Sequence, residues 1–260
     1  MGNDSALRAV GRFRRLPGKR PLVLGHRGAP HSAPENTLRA FELARQEGAD
    51  GVEFDVRLDG SGEVVVIHDR TLTRVTAGRA RARVDELSTA ELRRQDVGLG
   101  ERVPLLAELL DWARTHDLCV NVELKSDRES RAPLVSAVLG QLKNSRQGIE
   151  GRVLLSSFDP LAVVALARGA PEHPVGWLIH DEQRFFKWGF GRRALGAAAI
   201  NAQHTLITPA RMRRWQRGGG FVNTWTVNDP ETAVRLADLG VDAIISDVPG
   251  KVLSALLQRV

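Results

Sequence analysis

Short apolar runs alternate with amphipathic stretches along nearly the whole chain. The runs fall at 22–24, 51–58, 119–124, 153–157, 175–179, 198–202, 221–227 and 243–246. Between them, apolar residues recur at helical spacing, as in Leu38, Phe41, Leu43 and Ala44, and in Leu105, Leu106, Leu109, Leu110 and Trp112. Further helices are predicted over 133–142, 160–168, 209–217, 230–239 and 248–257. Gly218, Gly219 and Gly220 give the 209–217 helix a left-handed stop. Strands that alternate with helices predict a parallel sheet. Eight of them are enough to close an α/β (β/α)8 TIM barrel, whose usual size of about 250 residues suits a chain of 260. Residues 1–20 are expected to form a basic N-terminal arm, with at most one helical turn near 6–13, and 21–260 a single barrel domain. No linker, low-complexity tract or convincing repeat divides it.

One stretch breaks the alternation. Asp59-Gly60-Ser61-Gly62 is a hairpin signal followed by a second short strand over 63–67. With the turn near Gly60 and Ser61, paired positions sum to roughly 121, within about two residues. That register returns His68 beside Glu53 or Phe54. Residues two apart in a strand share a face, so Glu53, Asp55 and Arg57 project to one side. His26, at the end of the neighbouring strand, can join them. The hairpin and the irregular stretch after it make an insertion over about 59–103, behind the second strand. Ser88 and Glu91 form a capping box for a helix within it.

In parallel barrels, functional groups gather at the carboxyl ends of the strands. His26, Glu53 with Asp55, Glu123 with Lys125, Ser157-Phe158, Trp225 and Asp247 all stand at or just beyond such ends. Charges scattered without functional cause would not concentrate there. Three acids in otherwise apolar strands are costly to bury unpaired. One reading is an ion-pair network with Arg27, Arg57 and Lys125. A hard divalent cation, Mg²⁺ or Ca²⁺, fits better, because its ligands are oxygens and no cysteine or multi-histidine cluster suggests zinc.

The ordered set His26-Arg27-Gly28, Pro34-Glu35-Asn36-Thr37, Glu53-x-Asp55, His68-Asp69, Glu123-x-Lys125, Ser156-Ser157-Phe158, Trp225-Thr226-Val227-Asn228 and Gly240–Pro249 resembles the glycerophosphodiester phosphodiesterase family. The resemblance covers about residues 20–258. It implies cleavage of glycerophosphodiesters to glycerol 3-phosphate and an alcohol. It also implies metal ligation by Glu53, Asp55 and Glu123, a general acid/base pair at His26 and His68, and an insertion over the barrel mouth. Histidine, with an unperturbed pKa near 6.5, can both take and give a proton near neutral pH. Arg27 and Lys125 are candidate phosphate clamps, the first a fork of donors and the second a point charge. The resemblance suggests that Trp225 packs against the glycerol. Glu35 and Asn36 are expected to hold the loop and cap the helix. Water and the glycerol 2-hydroxyl are both candidate nucleophiles.

Composition narrows the alternatives. Hydrophobic and charged fractions of 42% and 26% are ordinary for a globular protein. The lone cysteine, Cys119, excludes a disulfide framework and suits a small core residue. The net charge of +6 comes from scattered arginines without a nucleic-acid motif, which argues against a nucleic-acid partner and fits attraction for a small anionic substrate. No apolar run approaches the ~18 residues of a membrane span, and residues 1–20 lack the apolar core of a secretion signal, so a cytoplasmic location is expected. Residues 184–193 interleave aromatic and cationic side chains and could make a weak peripheral membrane contact. That would favour a lysophospholipase D or phospholipase-type activity as the alternative. A non-catalytic anion- or lipid-binding barrel is the alternative outside enzymes. The oligomeric state has no signature in the sequence.

Overall fold

A computed structural model describes residues 11–127, 129–145, 149, 151–183, 189 and 191–258. Residues 184–188 and 190 of the aromatic–cationic stretch lie outside the described residues. Nine strands are described: β1 (Leu22–His26), β2 (Gly51–Leu58), β3 (Val64–Val66), β4 (Cys119–Leu124), β5 (Val153–Ser157), β6 (Val175–Ile179), β7 (Ala199–Gln203), β8 (Phe221–Trp225) and β9 (Ala243–Ser246). They form one sheet in the order β1-β9-β8-β7-β6-β5-β4-β2-β3, and β1 also pairs with β2. Eight parallel strands therefore close into a barrel, with β3 outside as the antiparallel partner of β2. This is the predicted TIM barrel with its insertion after the second strand. The hairpin register, Val56 opposite Val66, sums to 122, within the expected window.

The helices are α1 (Leu38–Gln46), α2 (Thr89–Leu92), α3 (Leu106–Thr115), α4 (Arg131–Asn144), α5 (Pro160–Gly169), α6 (Pro209–Trp215), α7 (Pro230–Asp238) and α8 (Pro249–Leu257). Their starts follow from local chemistry. Thr37, Asp159, Thr208 and Asp229 each accept a backbone N–H of the first turn, and proline opens α5, α6, α7 and α8, where its missing N–H costs nothing. Ser88 and Glu91 form the expected capping box of α2. No helix among the described residues is long and apolar enough to cross a membrane.

The barrel interior is layered because side chains two apart on a strand point the same way. Toward the N-terminal end lie Leu24, Cys119, Leu154, Ala199, Phe221 and Ile245, with Phe13 seated among them and fully buried. Phe13 comes from the segment expected to be an arm; Arg12 donates to Asp117, and Asp242 accepts the Arg15 backbone N–H. Burial pushes the Cys119 thiol up to about 11, which suits an inert core residue. The next layer is polar and buried, with Ser156 donating to Asn121 Oδ1 at 2.9 Å and Asn223 donating to Asn201 Oδ1 at 3.0 Å. Outside the barrel, the strands' other faces pack on the helices in the main core.

The insertion has its own small core. Leu72, Val84, Leu92, Val97 and Val103 pack on Val65 and Ile67 of the hairpin arm. It is thereby fixed to β2 through β3.

Candidate active site

The loop after β1 brings the first candidates together. Gly28 has φ +91°, and a Cβ there would lie 2.5 Å from the backbone of Ala40, so the chain can turn this tightly against α1 only with glycine. Arg27 and Asn36 also adopt left-handed backbone, φ 56° and 57°. Such conformations in non-glycine residues gather where surroundings over-determine them, often at functional sites. Here the Arg27 N–H donates to the carbonyl of Glu53 at 2.8 Å, and the Asn36 N–H donates to the carbonyl of Arg27 at 3.0 Å. The cap of α1 is Thr37, not Asn36. Asn36 Nδ2 instead donates to Asp55 Oδ2 at 3.0 Å, and Glu35 pairs with Arg27. The expectation that these two residues cap the helix is corrected on that point, since Asn36 turns its amide toward a buried carboxylate.

Strand register assembles the acids. His26 stands opposite Glu53 across β1 and β2, and Asp55 opposite Glu123 across β2 and β4. Glu53, Asp55 and Glu123 are all buried, and each offers an oxygen within 4.8 Å of the others. Lys125 pairs with Asp55 at 3.2 Å and with Glu123, and Arg27 pairs with Asp55 at 3.1 Å. Burial would raise the Asp55 pKa, but Lys125 and Arg27 outweigh it and hold the group well below the usual range. Burial pushes Glu123 up against Lys125, and burial with the neighbouring Asp55 pushes Glu53 up. Two cations thus face three carboxylates, and Glu53 Oε1 is buried without a hydrogen-bond partner among the described residues. An all-oxygen, over-negative cluster with an orphaned oxygen fits a hard divalent cation. Arg57 takes a different part, donating to the carbonyls of His68 at 2.7 Å and Lys125 at 3.2 Å.

Both histidines are anchored the same way. His26 Nδ1 lies 2.6 Å from Asp247 Oδ1, and His68 Nδ1 lies 2.7 Å from Asp69 Oδ1. Both aspartates are held below the usual carboxylate range, Asp247 by His26 and Asn228 and Asp69 by Arg74 and His68, in each case against burial. As ionised acceptors they fix the proton on Nδ1 and leave Nε2 for other chemistry. His26 Nε2 is 3.9 Å from Glu53 Oε2. The rings differ in proton affinity. Burial opposes the charge on His26, but Asp247 and Glu53 raise its pKa, whereas burial, with Lys125 and Arg27, lowers that of His68 despite Asp55.

These groups line one cavity of about 340 Å³ at the carboxyl end of the barrel, with Asn121, Leu178 and Ile245 deeper and Phe158, Trp225 and Thr226 at one side. Trp225 donates from Nε1 to the Asn201 carbonyl at 3.0 Å and meets Phe158 edge to face at 5.6 Å. Phe158 also meets His180 edge to face at 5.5 Å, and Lys125 Nζ stands 5.6 Å from its ring centre. All eight residues singled out in the sequence take part in this region: His26, Arg27, Glu53, His68, Glu123, Lys125 and Trp225 line the cavity, and Asp55 is buried behind Arg27 and Lys125. His116 stacks on Trp112 instead, and His173 and His204 do not line the cavity.

Sequence reasoning assigns no contact with these groups to Asp247, Asp69 or Asn36. The His68-Asp69 dipeptide and the position of Asp247 beyond the last strand carried a signal for the first two. Nothing local pointed Asn36 at Asp55.

The model of the Glycerophosphoryl diester phosphodiesterase family matches residues 26–251. The chain is 32% identical over 235 residues to a glycerophosphodiester phosphodiesterase of Caldanaerobacter subterraneus subsp. tengcongensis, covering 88% of this chain and 94% of that protein. It is similar to the structure of an Oleispira antarctica phosphodiesterase in complex with the product sn-glycerol-3-phosphate, with TM-score 0.83, 30% identity and coverage of 91% and 97%. A glycerophosphodiester phosphodiesterase from Thermotoga maritima gives TM-score 0.74 at 27% identity, covering 92% of this chain and 99% of that one.

Proposed function

We propose how catalysis is divided among the pocket residues of this chain, which belongs to the glycerophosphoryl diester phosphodiesterase family and is a phosphoric diester hydrolase acting on glycerophosphodiesters. Glu53, Asp55 and Glu123 would hold one divalent cation, Mg²⁺ or Ca²⁺, since their oxygens converge and one is left without a partner. When bound, that cation polarises the phosphoryl group as a Lewis acid.

Every other task falls to side chains already in place. Arg27 and Lys125 neutralise the nonbridging oxygens as charge develops on them. One histidine accepts the proton of the attacking hydroxyl and the other protonates the departing alkoxide, each through the Nε2 that its aspartate leaves free. Neighbours that push the two proton affinities apart suit an acid and a base in one pocket. Trp225 and Phe158 present apolar surface to the carbon face of the glycerol. The product complex of the Oleispira antarctica relative supports a glycerol 3-phosphate moiety in the equivalent cavity.

The observation that carries this reading is the convergence of two aspartate-anchored histidines and three buried carboxylates on one cavity. A coupled assay for glycerol 3-phosphate released from glycerophosphocholine tests it, with EDTA, Mg²⁺ and Ca²⁺ arms and a Glu53→Ala control. Release that needs the cation and is lost in Glu53→Ala is expected. Release that survives both EDTA and Glu53→Ala would overturn the metal assignment.

A further inference from the structure

We propose that Arg74, a residue of the insertion outside the barrel, is a positioning residue that locks His68 and Arg27 into place together. This rests on the hydrolase reading of the pocket. The Arg74 guanidinium spans two carboxylates that each hold a cavity-lining residue. Nη1 and Nη2 donate to Glu35 Oε2 and Oε1 at 2.5 and 2.8 Å, a bidentate pair, while Nε donates to Asp69 Oδ2 at 2.7 Å. Each carboxylate then turns toward the pocket. Asp69 Oδ1 accepts from His68 Nδ1 at 2.7 Å, and Glu35 Oε1 accepts from Arg27 Nη1 at 2.9 Å. The series His68–Asp69–Arg74–Glu35–Arg27 is therefore unbroken: each junction is a hydrogen bond, and those made by Arg74 and Arg27 are ion pairs.

Arg74 is the one member that touches neither a cavity-lining group nor the substrate's place. It acts by holding two groups that do. Burial alone would raise the pKa of both Glu35 and Asp69, and the hydrogen bond from Arg74 is the largest influence opposing it in each. Without the guanidinium, Asp69 and Glu35 would be two neighbouring carboxylates with half their donors gone. Both would be freer to leave His68 Nδ1 and Arg27.

The backbone that carries Arg74 does not depend on its side chain. Leu72 and Val84 are buried in the insertion's core, Thr71 and Arg83 form a β-bridge, and Thr76 Oγ1 donates to the Leu72 carbonyl at 2.8 Å. Truncating a side chain that is 49% exposed should leave this turn intact. The insertion is thus tied to catalysis through Arg74.

The test compares wild type, Arg74→Ala, Arg74→Lys, Asp69→Ala and a control, Arg79→Ala, whose ion pair with Asp96 lies elsewhere in the insertion. Glycerol 3-phosphate release from glycerophosphocholine is measured with cation present, beside the unfolding transition. Arg74→Ala is expected to lose about 10- to 100-fold in kcat, as removal of groups that orient a reactive side chain typically does, with an unchanged unfolding transition. Arg74→Lys recovers only part, because a point charge cannot bridge two carboxylates as a fork does. Added guanidinium restores Arg74→Ala but not Asp69→Ala, and Arg79→Ala behaves as wild type. Long-range ¹H–¹⁵N spectra of the imidazoles give a readout independent of turnover: His68 is held as the Nδ1–H tautomer in wild type and becomes a mixture in Arg74→Ala. An active wild type with wild-type kcat in Arg74→Ala would overturn the proposal. A wild type that releases no glycerol 3-phosphate would overturn the hydrolase reading instead, and an unchanged His68 tautomer would still refute the role of Arg74.

Discussion

Below the cavity, six strands contribute Leu24, Cys119, Leu154, Ala199, Phe221 and Ile245 to an apolar cluster closed by Phe13, with Ile245 on its border with the cavity. Two or four positions further along the same six strands or just past their ends, the same face carries His26, Asn121 with Glu123, Ser156, Asn201, Asn223 with Trp225, and Asp247. Backbone pairing is continuous between the two ends, so only side-chain chemistry divides them. The lower end gains stability by removing apolar surface from water. The upper end buries Glu53, Asp55 and Glu123 with two cations for three carboxylates, an arrangement that opposes stability until something positive arrives. One barrel therefore concentrates its stabilising contacts at one end and its electrostatic strain at the other.

Substitutions can break that division, the most severe first. His26→Ala and His68→Ala should each lower kcat by about 10²- to 10⁴-fold, the usual contribution of acid–base catalysis, with an unfolding transition close to wild type; steady-state rates beside thermal melts check both halves. Phe13→Ala should do the reverse. It should cost about 3–5 kcal/mol in urea unfolding, as for other fully buried phenylalanines, while kcat/KM of the folded fraction stays near wild type.

Asp247→Asn tests the coupling within the upper end. It keeps the contact but removes the charge that raises the His26 pKa. The limb of the pH–rate profile belonging to His26 should therefore move to lower pH, and kcat should fall about 10- to 100-fold. A limb that stays in place would separate Asp247 from the titration. The mildest change is Trp225→Leu. It forfeits the edge-to-face contact with Phe158, worth about 0.5–1.5 kcal/mol, and with it the aromatic surface proposed to meet the glycerol, so KM should rise roughly two- to tenfold.

What was legible in the sequence follows the same division. Strand periodicity and the helix-start residues located every barrel strand, and the hairpin turn placed the register within one residue, because these depend on neighbours in the chain. Glu53, Asp55 and Glu123 stood out because charge inside apolar runs is costly and so needs a cause. Contacts between distant segments that no strand-end position announces were not legible. Phe13 lay in a basic stretch whose burial makes sense only against a barrel floor built by six strands. Asn36 looked like a helix cap because its neighbours have capping chemistry, and only the left-handed turn at φ 57° swings its amide to Asp55. Arg74 sat among many arginines of the insertion, and no periodicity distinguishes the one that bridges Glu35 and Asp69.

The strained upper end leads to the most direct measurement, thermal unfolding of wild type and Glu53→Gln in EDTA and in saturating Ca²⁺ or Mg²⁺. At a cation concentration about 100 times its dissociation constant, binding to the native state adds about 2.7 kcal/mol, a rise in Tm of roughly 5–10 °C for a chain of this size. Wild type should show that rise. Glu53→Gln should show little of it and should melt no lower than wild type in EDTA, because burial and Asp55 already oppose the charged form of Glu53 and one of its oxygens has no hydrogen-bond partner among the described residues. Equal cation-dependent rises in the two proteins, or a Glu53→Gln variant much less stable than wild type in EDTA, would contradict a carboxylate cluster built to receive a cation.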